Sequence, residues 1–169
     1  MTAYIALLRA VNVGGTGKLP MAELKRIGED AGFAQVRTYI ASGNLLFDCD
    51  QDEAAVKAAL EARLEAYAGK RVGVLVRSAR EMAAVAAANP FPDAAPNRVV
   101  AIFLESVPPA DAFDHVRGQQ GEELRLGTRE IYVHYGGGMA DSKLRIAAAR
   151  DGTARNMNTV AKLAALAGA

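Results

Sequence analysis

Apolar positions in the first 77 residues fall into short runs and helical stripes that alternate along the chain. Residues 4–8 are continuously apolar, a pattern typical of a strand that is covered on both faces. A glycine-rich loop follows over residues 12–20. A helix is then predicted between Pro20 and Gly32, because the apolar residues between them recur at helical spacing.

The next 45 or so residues complete a recognisable order of elements. They comprise strands over residues 36–40, 45–47 and 72–76, a turn over residues 42–44, and a helix that begins near Asp50 or Asp52 and ends at Gly69. The order β-α-β-β-α-β with right-handed crossovers is that of the ferredoxin-like plait.

The second half repeats part of this order. The predicted elements are a helix over residues 78–88, a strand over 99–104, a helix from Pro108 to about Val116, a hairpin of residues 122–126 and 130–135, and helices over 142–149 and 155–167. A fourth strand is not evident. The predicted fold class is therefore α+β. It comprises a ferredoxin-like βαββαβ domain (1–77), a helix and proline-rich linker (78–97), and a second α-β plait-like domain with a C-terminal helix (98–169).

Composition narrows the classes of function. The chain of 169 residues has a net charge of +1, so a protein that coats nucleic acid through its overall charge is not indicated and any anion site must be local. The single cysteine, Cys49, allows no internal disulfide, which fits a reducing cytoplasm. Apolar runs all fall short of the roughly 18 residues of a membrane span, so we expect a soluble, cytoplasmic protein without a membrane partner.

The predicted topology places three polar segments at one end of the first sheet. They are the loop with Arg9, Asn12, Gly14, Gly15 and Lys18, the turn with Ser42, Gly43 and Asn44, and the pair Lys70 and Arg71. The first helix begins at the same end, with its positive dipole end towards them. Glycines let backbone N–H groups approach an anion closely. The sequence therefore predicts a phosphate or carboxylate site, although such loops also occur as ordinary turns with solvated basic residues.

Two familiar phosphate motifs are excluded by single residues. A Walker A loop requires glycine where Asn12 stands and Ser or Thr where Leu19 stands, and a dinucleotide fingerprint requires a third glycine where Met21 stands. Base stacking on the sheet, as in RNA-recognition modules, is also disfavoured, because residues 45–48 lack the basic-glycine-aromatic signature.

A second polar segment lies near the C-terminus. The first turn of the last helix is predicted to contain Arg155, Asn156 and Asn158. Asparagine is unfavourable in the interior of a helix, so its presence near the start requires an explanation. Helix capping and ligand binding both explain why these asparagines lie at the start of the helix.

Catalytic constellations are otherwise lacking. The two histidines, His115 and His134, are isolated in sequence, and no spacing of His or Cys indicates a metal. We expect neither a metal nor a cofactor. Tyr39 and His134 are the residues that could serve as a general base.

Three segments together resemble a known family. Residues 7–15 (Leu-Leu-Arg-Ala-Val-Asn-Val-Gly-Gly), 36–44 (Val-Arg-Thr-Tyr-Ile-Ala-Ser-Gly-Asn) and 153–160 (Thr-Ala-Arg-Asn-Met-Asn-Thr-Val) closely resemble motifs of the bacterial domain of unknown function 1697 family. The resemblance implies a two-part architecture of α-β plaits and a bacterial cytosolic origin, and it supplies no reaction. Ala10 departs from the family's usual glycine, and Met157 stands where an aromatic residue is common.

Three hypotheses for function remain open at this point. The first is an anion-binding module for a nucleotide, a nucleic acid or a phosphorylated metabolite. The second is an enzyme that uses the same pocket, with Arg9, Lys18 and Arg155 stabilising negative charge. The third is a structural or interaction protein, as a homodimer, in which these loops only organise the fold.

Overall fold

The structure, a computed structural model, describes residues 1–9, 19–136 and 142–168. The described residues form eight strands and four α-helices in an α+β arrangement with two four-stranded antiparallel sheets. Four residues of the predicted anion site, Asn12, Gly14, Gly15 and Lys18, lie outside this part of the chain.

The chain divides into two compact units that are not contiguous in sequence. Unit 1 comprises Met1–Met82 and the C-terminal segment from Leu163, and unit 2 comprises Ala83–Lys162. The domain boundaries at residues 77 and 97 stay a prediction.

The sheet of unit 1 has four strands in the order β2-β3-β1-β4. Its strands are β1 (Thr2–Leu8), β2 (Ala34–Thr38), β3 (Asn44–Cys49) and β4 (Val74–Ser78), with helix α1 (Met21–Asp30) between β1 and β2 and helix α2 (Glu53–Ala68) between β3 and β4. The element order β-α-β-β-α-β is the one predicted from the apolar pattern, and the finer ferredoxin-like description stays a prediction.

The strand register confirms which chain segments meet at one end of this sheet. Leu7 lies opposite Asn44, so the end of β1 adjoins the start of β3. Leu8 lies opposite Val74 at the start of β4. Thr38 at the end of β2 lies opposite Leu45. We call this end, where β1 and β2 finish and β3 and β4 begin, the loop end of the sheet.

One face of the sheet packs against both helices of unit 1. Helix α2 contributes Val56, Leu60 and Leu64, which are spaced by four residues and therefore lie on one stripe. Burial of each such side chain contributes about 1.5–3 kcal/mol. The core is completed from α1 and the strands by Leu24, Ile27, Tyr4, Ala6, Leu8, Leu45, Phe47, Val74 and Val76.

The other face of the sheet is also buried. Ile5, Leu7, Leu46 and Leu75 are at most 3% exposed, which confirms that strand β1 is covered on both faces. Arg77, opposite Ile5 in the register, is 1% exposed and donates a hydrogen bond to the carbonyl of Val76.

The ends of α2 confirm two predictions about local sequence. Asp52 is the N-cap, and its carboxylate accepts a hydrogen bond from the N–H of Ala55 at 2.9 Å. Gly69 follows the helix with a φ of 72°, a conformation that favours glycine. These two residues fix where the chain leaves α2 and turns towards β4.

Unit 2 contains a sheet with the order β6-β7-β5-β8. The elements of this part of the chain are helix α3 (Ala79–Ala87), β5 (Val99–Phe103), β6 (Glu123–Leu126), β7 (Glu130–His134), β8 (Thr153–Asn156) and helix α4 (Met157–Leu166). The boundary between the units falls inside α3 and α4. Strands β6 and β7 pair as the predicted hairpin. A core of Leu104, Leu124, Ile131, Val133 and Ile146 covers one face of this sheet.

The fourth strand of unit 2 is the segment that the sequence assigns to the last helix. Residues 153–156 pair with β5, with Arg155 opposite Ala101, and α4 begins only at Met157. The prediction of a helix from Arg155 is therefore wrong at its start. This edge strand has only four residues, three of them polar, so it lacks the apolar alternation by which a strand is recognised.

Two further helix predictions in unit 2 are wrong. In place of the helix predicted over residues 108–116, residues 110–115 form successive turns, with hydrogen bonds such as the one from the N–H of Ala112 to the carbonyl of Pro109. Residues 142–149 form a 3₁₀ turn only at Ala147–Ala149. The N–H of Arg145 donates to the carbonyl of Arg117 at 2.7 Å, and the N–H of Arg117 donates to the carbonyl of Arg145 at 2.9 Å. Because the backbone groups of Arg145 are used in this bridge, they do not form the hydrogen bonds of a helix.

Within the described part of the chain, no helix combines the length and apolar character that crossing a membrane requires.

Candidate functional site

Arg9 lies at the loop end, directly after β1. Its N–H donates to the carbonyl of Gly73 at 2.9 Å, which ties it to the start of β4. Its side chain lies over Gly73, because a Cβ atom placed on that glycine would be only 3.0 Å from Cδ of Arg9. The φ of Gly73 is not positive, so the close approach of Arg9 is what favours glycine here.

The turn between β2 and β3 is fastened from within by Asn44. Nδ2 of Asn44 donates to the carbonyl of Tyr39 at 2.8 Å and to Oγ of Ser42 at 3.0 Å. The N–H of Tyr39 returns a bond to the carbonyl of Asn44, and that of Leu8 donates to the carbonyl of Gly43. Asn44 is fully buried, and through these hydrogen bonds it holds the turn in position.

Two more cationic side chains stand at the loop end. Lys70 and Arg71 are exposed and lie between the end of α2 and the start of β4, beside the residue that Arg9 covers. The structure therefore brings Arg9, Ser42, Gly43 and Asn44 together with this basic pair. We refer to Arg9, Lys70 and Arg71 as the basic cluster.

Carboxylates are concentrated at the opposite end of the same sheet. Asp48, Asp50 and Asp52 lie at the end of β3 and the start of α2, and Asp48 is opposite Ala3 in the register. At the loop end, the carboxylate of Glu61 accepts from Lys57 at 2.9 Å and from the N–H of Val74 at 3.1 Å. The three aspartates thus lie at one end of the sheet and the basic cluster at the other, where Glu61 is held by Lys57 and Val74 and Glu23 lies in the first turn of α1.

Helix α1 adds a further positive contribution. It begins at Met21 and runs back along the sheet to the start of β2, so its N-terminus belongs to the loop end. Pro20 precedes it and makes no side-chain capping bond. The first-turn N–H groups carry the positive end of the helix dipole, which favours an anion nearby.

The predicted C-terminal candidates lie in unit 2 and differ in their surroundings. Asn156 caps α4, because its Oδ1 accepts a hydrogen bond from the N–H of Thr159 at 3.0 Å. Asn158 is exposed in the first turn of that helix. Arg155 is 7% exposed, and Nη1 donates to Oγ1 of Thr153 at 2.8 Å and to the carbonyl of Ala154. Burial lowers the pKa of Arg155 to about 10.

The candidate bases belong to different units of the chain. Tyr39 lies in the turn of unit 1, whereas His134 lies in unit 2 with Nδ1 3.5 Å from Oε1 of Glu123. The ring of His134 packs against Phe91 with centroids 5.4 Å apart. Among the residues that the structure describes, no group of three or more His, Cys, Asp or Glu side chains is arranged to hold a metal ion.

Sequence reasoning missed one polar pair in unit 2. The buried Glu122 carboxylate accepts from Oγ of Ser142 and from the N–H of Gln120. These hydrogen bonds, the one from Ser142 foremost, lower the pKa of Glu122. The partners are 20 residues apart, and no periodic pattern relates them.

The fold and the site together define an α+β protein with two four-stranded antiparallel sheets and a basic cluster at one sheet end. The model of a family described as a protein of unknown function, DUF1697, matches residues 1–132. The chain belongs to the DUF1697 family, which confirms the resemblance seen in its motifs.

One similar solved structure is that of the conserved bacterial protein SP0830 from Streptococcus pneumoniae. It is 24% identical in sequence, the match covers 98% of both chains, and the TM-score is 0.81. At this identity the similarity shows the fold alone. No curated protein matches the chain.

Proposed function

We propose that unit 1 is a binding module for a phosphate-bearing ligand, which it holds at the loop end of its sheet. The observation that carries the proposal is the placement of the basic cluster beside the turn of residues 42–44, with carboxylates at the opposite sheet end. Arginine offers a planar fork of donors and lysine a compact charge, and both suit phosphate oxygens. The near-neutral chain makes this local charge, rather than the overall field, the source of attraction.

Within this proposal the residues of the loop end have different parts. Arg9, Lys70 and Arg71 contact the anion. Asn44 and Gly43 position the turn, since the amide nitrogen of Asn44 donates to Tyr39 and Ser42. Asn12, Gly14, Gly15 and Lys18 remain candidates from the sequence, and the proposal does not depend on them.

The experiment is a titration of the ¹⁵N-labelled protein with sodium phosphate and with pyrophosphate at low salt, followed by NMR. We expect saturable shifts of amides near Leu8, Gly43 and Val74. Replacing Arg9 by alanine removes a hydrogen bond to a charged group, worth about 1.5–3 kcal/mol, so affinity should fall by about 10-fold or more. Added potassium chloride should weaken binding, because exposed charges are screened.

The matched control is Arg80→Ala, which removes the same charge from an exposed position in α3, just after the end of β4 that lies away from the loop end. It should leave the affinity within about twofold, because the full length of β4 separates Arg80 from the loop end and the charge does not contact the anion. Equal effects of Arg9→Ala and Arg80→Ala would show that the attraction is non-specific. Absence of saturable shifts with either anion would reject the proposed function.

A further inference from the structure

Ile40 combines two properties that the fold of unit 1 does not explain. Its φ is 51°, in the left-handed region that β-branched residues avoid, and its side chain is 47% exposed. Gln35 is the other described residue besides glycine with a positive φ, and it lies where the pairing of β2 with β3 shifts register between Ala34 and Arg37. Its conformation thus belongs to a β-bulge, whereas that of Ile40 belongs to no such irregularity.

The turn does not require isoleucine at this position. Its shape is fixed by the bonds among Tyr39, Ser42 and Asn44, and Gly43 has a φ of 89°. Glycine or asparagine would adopt the left-handed conformation of residue 40 at lower cost. Ile40 is not part of the apolar core of unit 1. A strained residue with an exposed apolar side chain points to function rather than folding.

Ile40 lies at a definite distance from the basic cluster. It comes two residues after β2, and Arg9 comes directly after β1, with β3 between the two strands. Neighbouring strands lie about 4.8 Å apart, so the two positions are separated by about 10 Å across the loop end. An inorganic phosphate ion cannot touch both, whereas a ligand with a phosphate and a separate apolar face can.

We propose that the ligand is a nucleotide, with its phosphates on the basic cluster and its base packed on Ile40. The inference rests on the proposed function and names the class of ligand for the same site. A nucleobase offers a flat apolar face at the far end of a ribose from the phosphates, which matches the separation of the two contacts. A phosphorylated sugar has no comparable apolar face, so it would leave Ile40 exposed.

The test uses Ile40→Asn in the full chain, with ADP and inorganic pyrophosphate as probes. Asparagine relieves the left-handed strain, so the melting temperature should stay the same or rise. The affinity for ADP should fall about 10-fold, the usual loss when an apolar contact to a ligand is removed, and that for pyrophosphate should not change. Ile40→Val is the matched control, because it keeps a β-branched apolar side chain, and it should bind ADP within about threefold of the wild type.

The outcomes separate this inference from the function on which it rests. If the wild type binds neither probe, the proposed function itself fails. If it binds pyrophosphate and Ile40→Asn leaves ADP affinity unchanged, the nucleotide inference is overturned while anion binding stands. An equal loss for both probes would also overturn it, because Ile40 would then only shape the anion site. Loss for ADP alone supports it.

Discussion

At the scale of single residues, polar side chains in loops are ambiguous in a way that apolar ones are not. Asn44 and Asn156 were both candidate ligand donors in the sequence, and both make hydrogen bonds within the fold, one to Tyr39 and Ser42 and the other to Thr159. An amide side chain has the same chemistry whether its partner is the chain or a ligand. A cap at Asp50 or Asp52 could be predicted from the position before an apolar stripe, and the structure identifies Asp52 as the cap.

Ile40 shows a different limit of residue-scale prediction. Its β-branched side chain continues the strand pattern of residues 36–40, and the amino-acid sequence does not indicate that residue 40 has a positive φ. A positive φ is a property of the three-dimensional backbone, and the alternation of apolar and polar residues does not report it.

One residue-scale prediction concerns Tyr132. Its hydroxyl is buried and donates to the carbonyl of Val85 in α3 at 2.8 Å. Tyr132→Phe should lower the free energy of unfolding by about 1–2 kcal/mol, because the buried carbonyl loses its partner. Chemical denaturation of the two proteins at pH 7 measures the difference. Equal stabilities would show that Val85 finds another donor.

Tyr132 also makes the stability of the protein depend on pH. Burial first, and then the Glu130 carboxylate, raise the pKa of Tyr132 to about 12 from an ordinary value near 10. Between these values the unfolded chain has lost the proton and the folded chain retains it, so stability falls as pH rises from 10 to 12. The advantage of the wild type over Tyr132→Phe should therefore shrink over this range in paired denaturation curves. A constant difference would contradict the assignment.

At the scale of elements, prediction succeeded where local pattern and tertiary pairing agree. The strands and helices of unit 1 follow continuous apolar runs or stripes, and their order was predicted correctly. In unit 2, residues 142–149 contain good helix formers and residues 153–156 lead directly into the apolar stripe of α4, but pairing with Arg117 and with β5 decides their conformation. Such pairings join segments far apart in sequence, so no local window reveals them.

The junction of β8 and α4 provides an element-scale prediction. Asn156 ends the strand and caps the helix through the N–H of Thr159. Asn156→Ala should cost about 1 kcal/mol of stability, whereas Asn156→Asp should retain it, since a carboxylate also caps and favours the helix dipole. Thermal unfolding followed by circular dichroism distinguishes them. An alanine variant as stable as the aspartate variant would show that the cap contributes nothing.

At the scale of the whole molecule, the fold tolerates wide change in sequence. The structure from Streptococcus pneumoniae superposes with a TM-score of 0.81 at 24% identity. Cores tolerate extensive substitution when the hydrophobic pattern and the total volume are kept, so apolar patterning specifies layers and strand order more than individual contacts do. This explains why the fold class could be predicted from one sequence while the ligand could not.

Unit 1 also depends on residues from the far end of the chain. Leu163 is fully buried, and the carbonyl of Leu166 accepts a hydrogen bond from Nη2 of Arg37 in β2 at 2.6 Å. Deleting the chain from Leu163 should lower the stability of unit 1 by about 2 kcal/mol or more through lost burial alone. Hydrogen exchange of amides in β1 and β3 measures this, with deletion from Ala167 as control. Equal exchange in both truncated proteins would refute the dependence.

This division of unit 1 has a consequence for how the protein is made. The ribosome delivers Met1–Met82 first, then all of unit 2, and only afterwards the segment from Leu163 that completes unit 1. The four strands of unit 1 therefore emerge long before their last packing partner is translated. A nascent chain stalled before Leu163 should expose apolar surface that the longer chain covers, so translation of this segment sets the moment at which unit 1 can complete its packing.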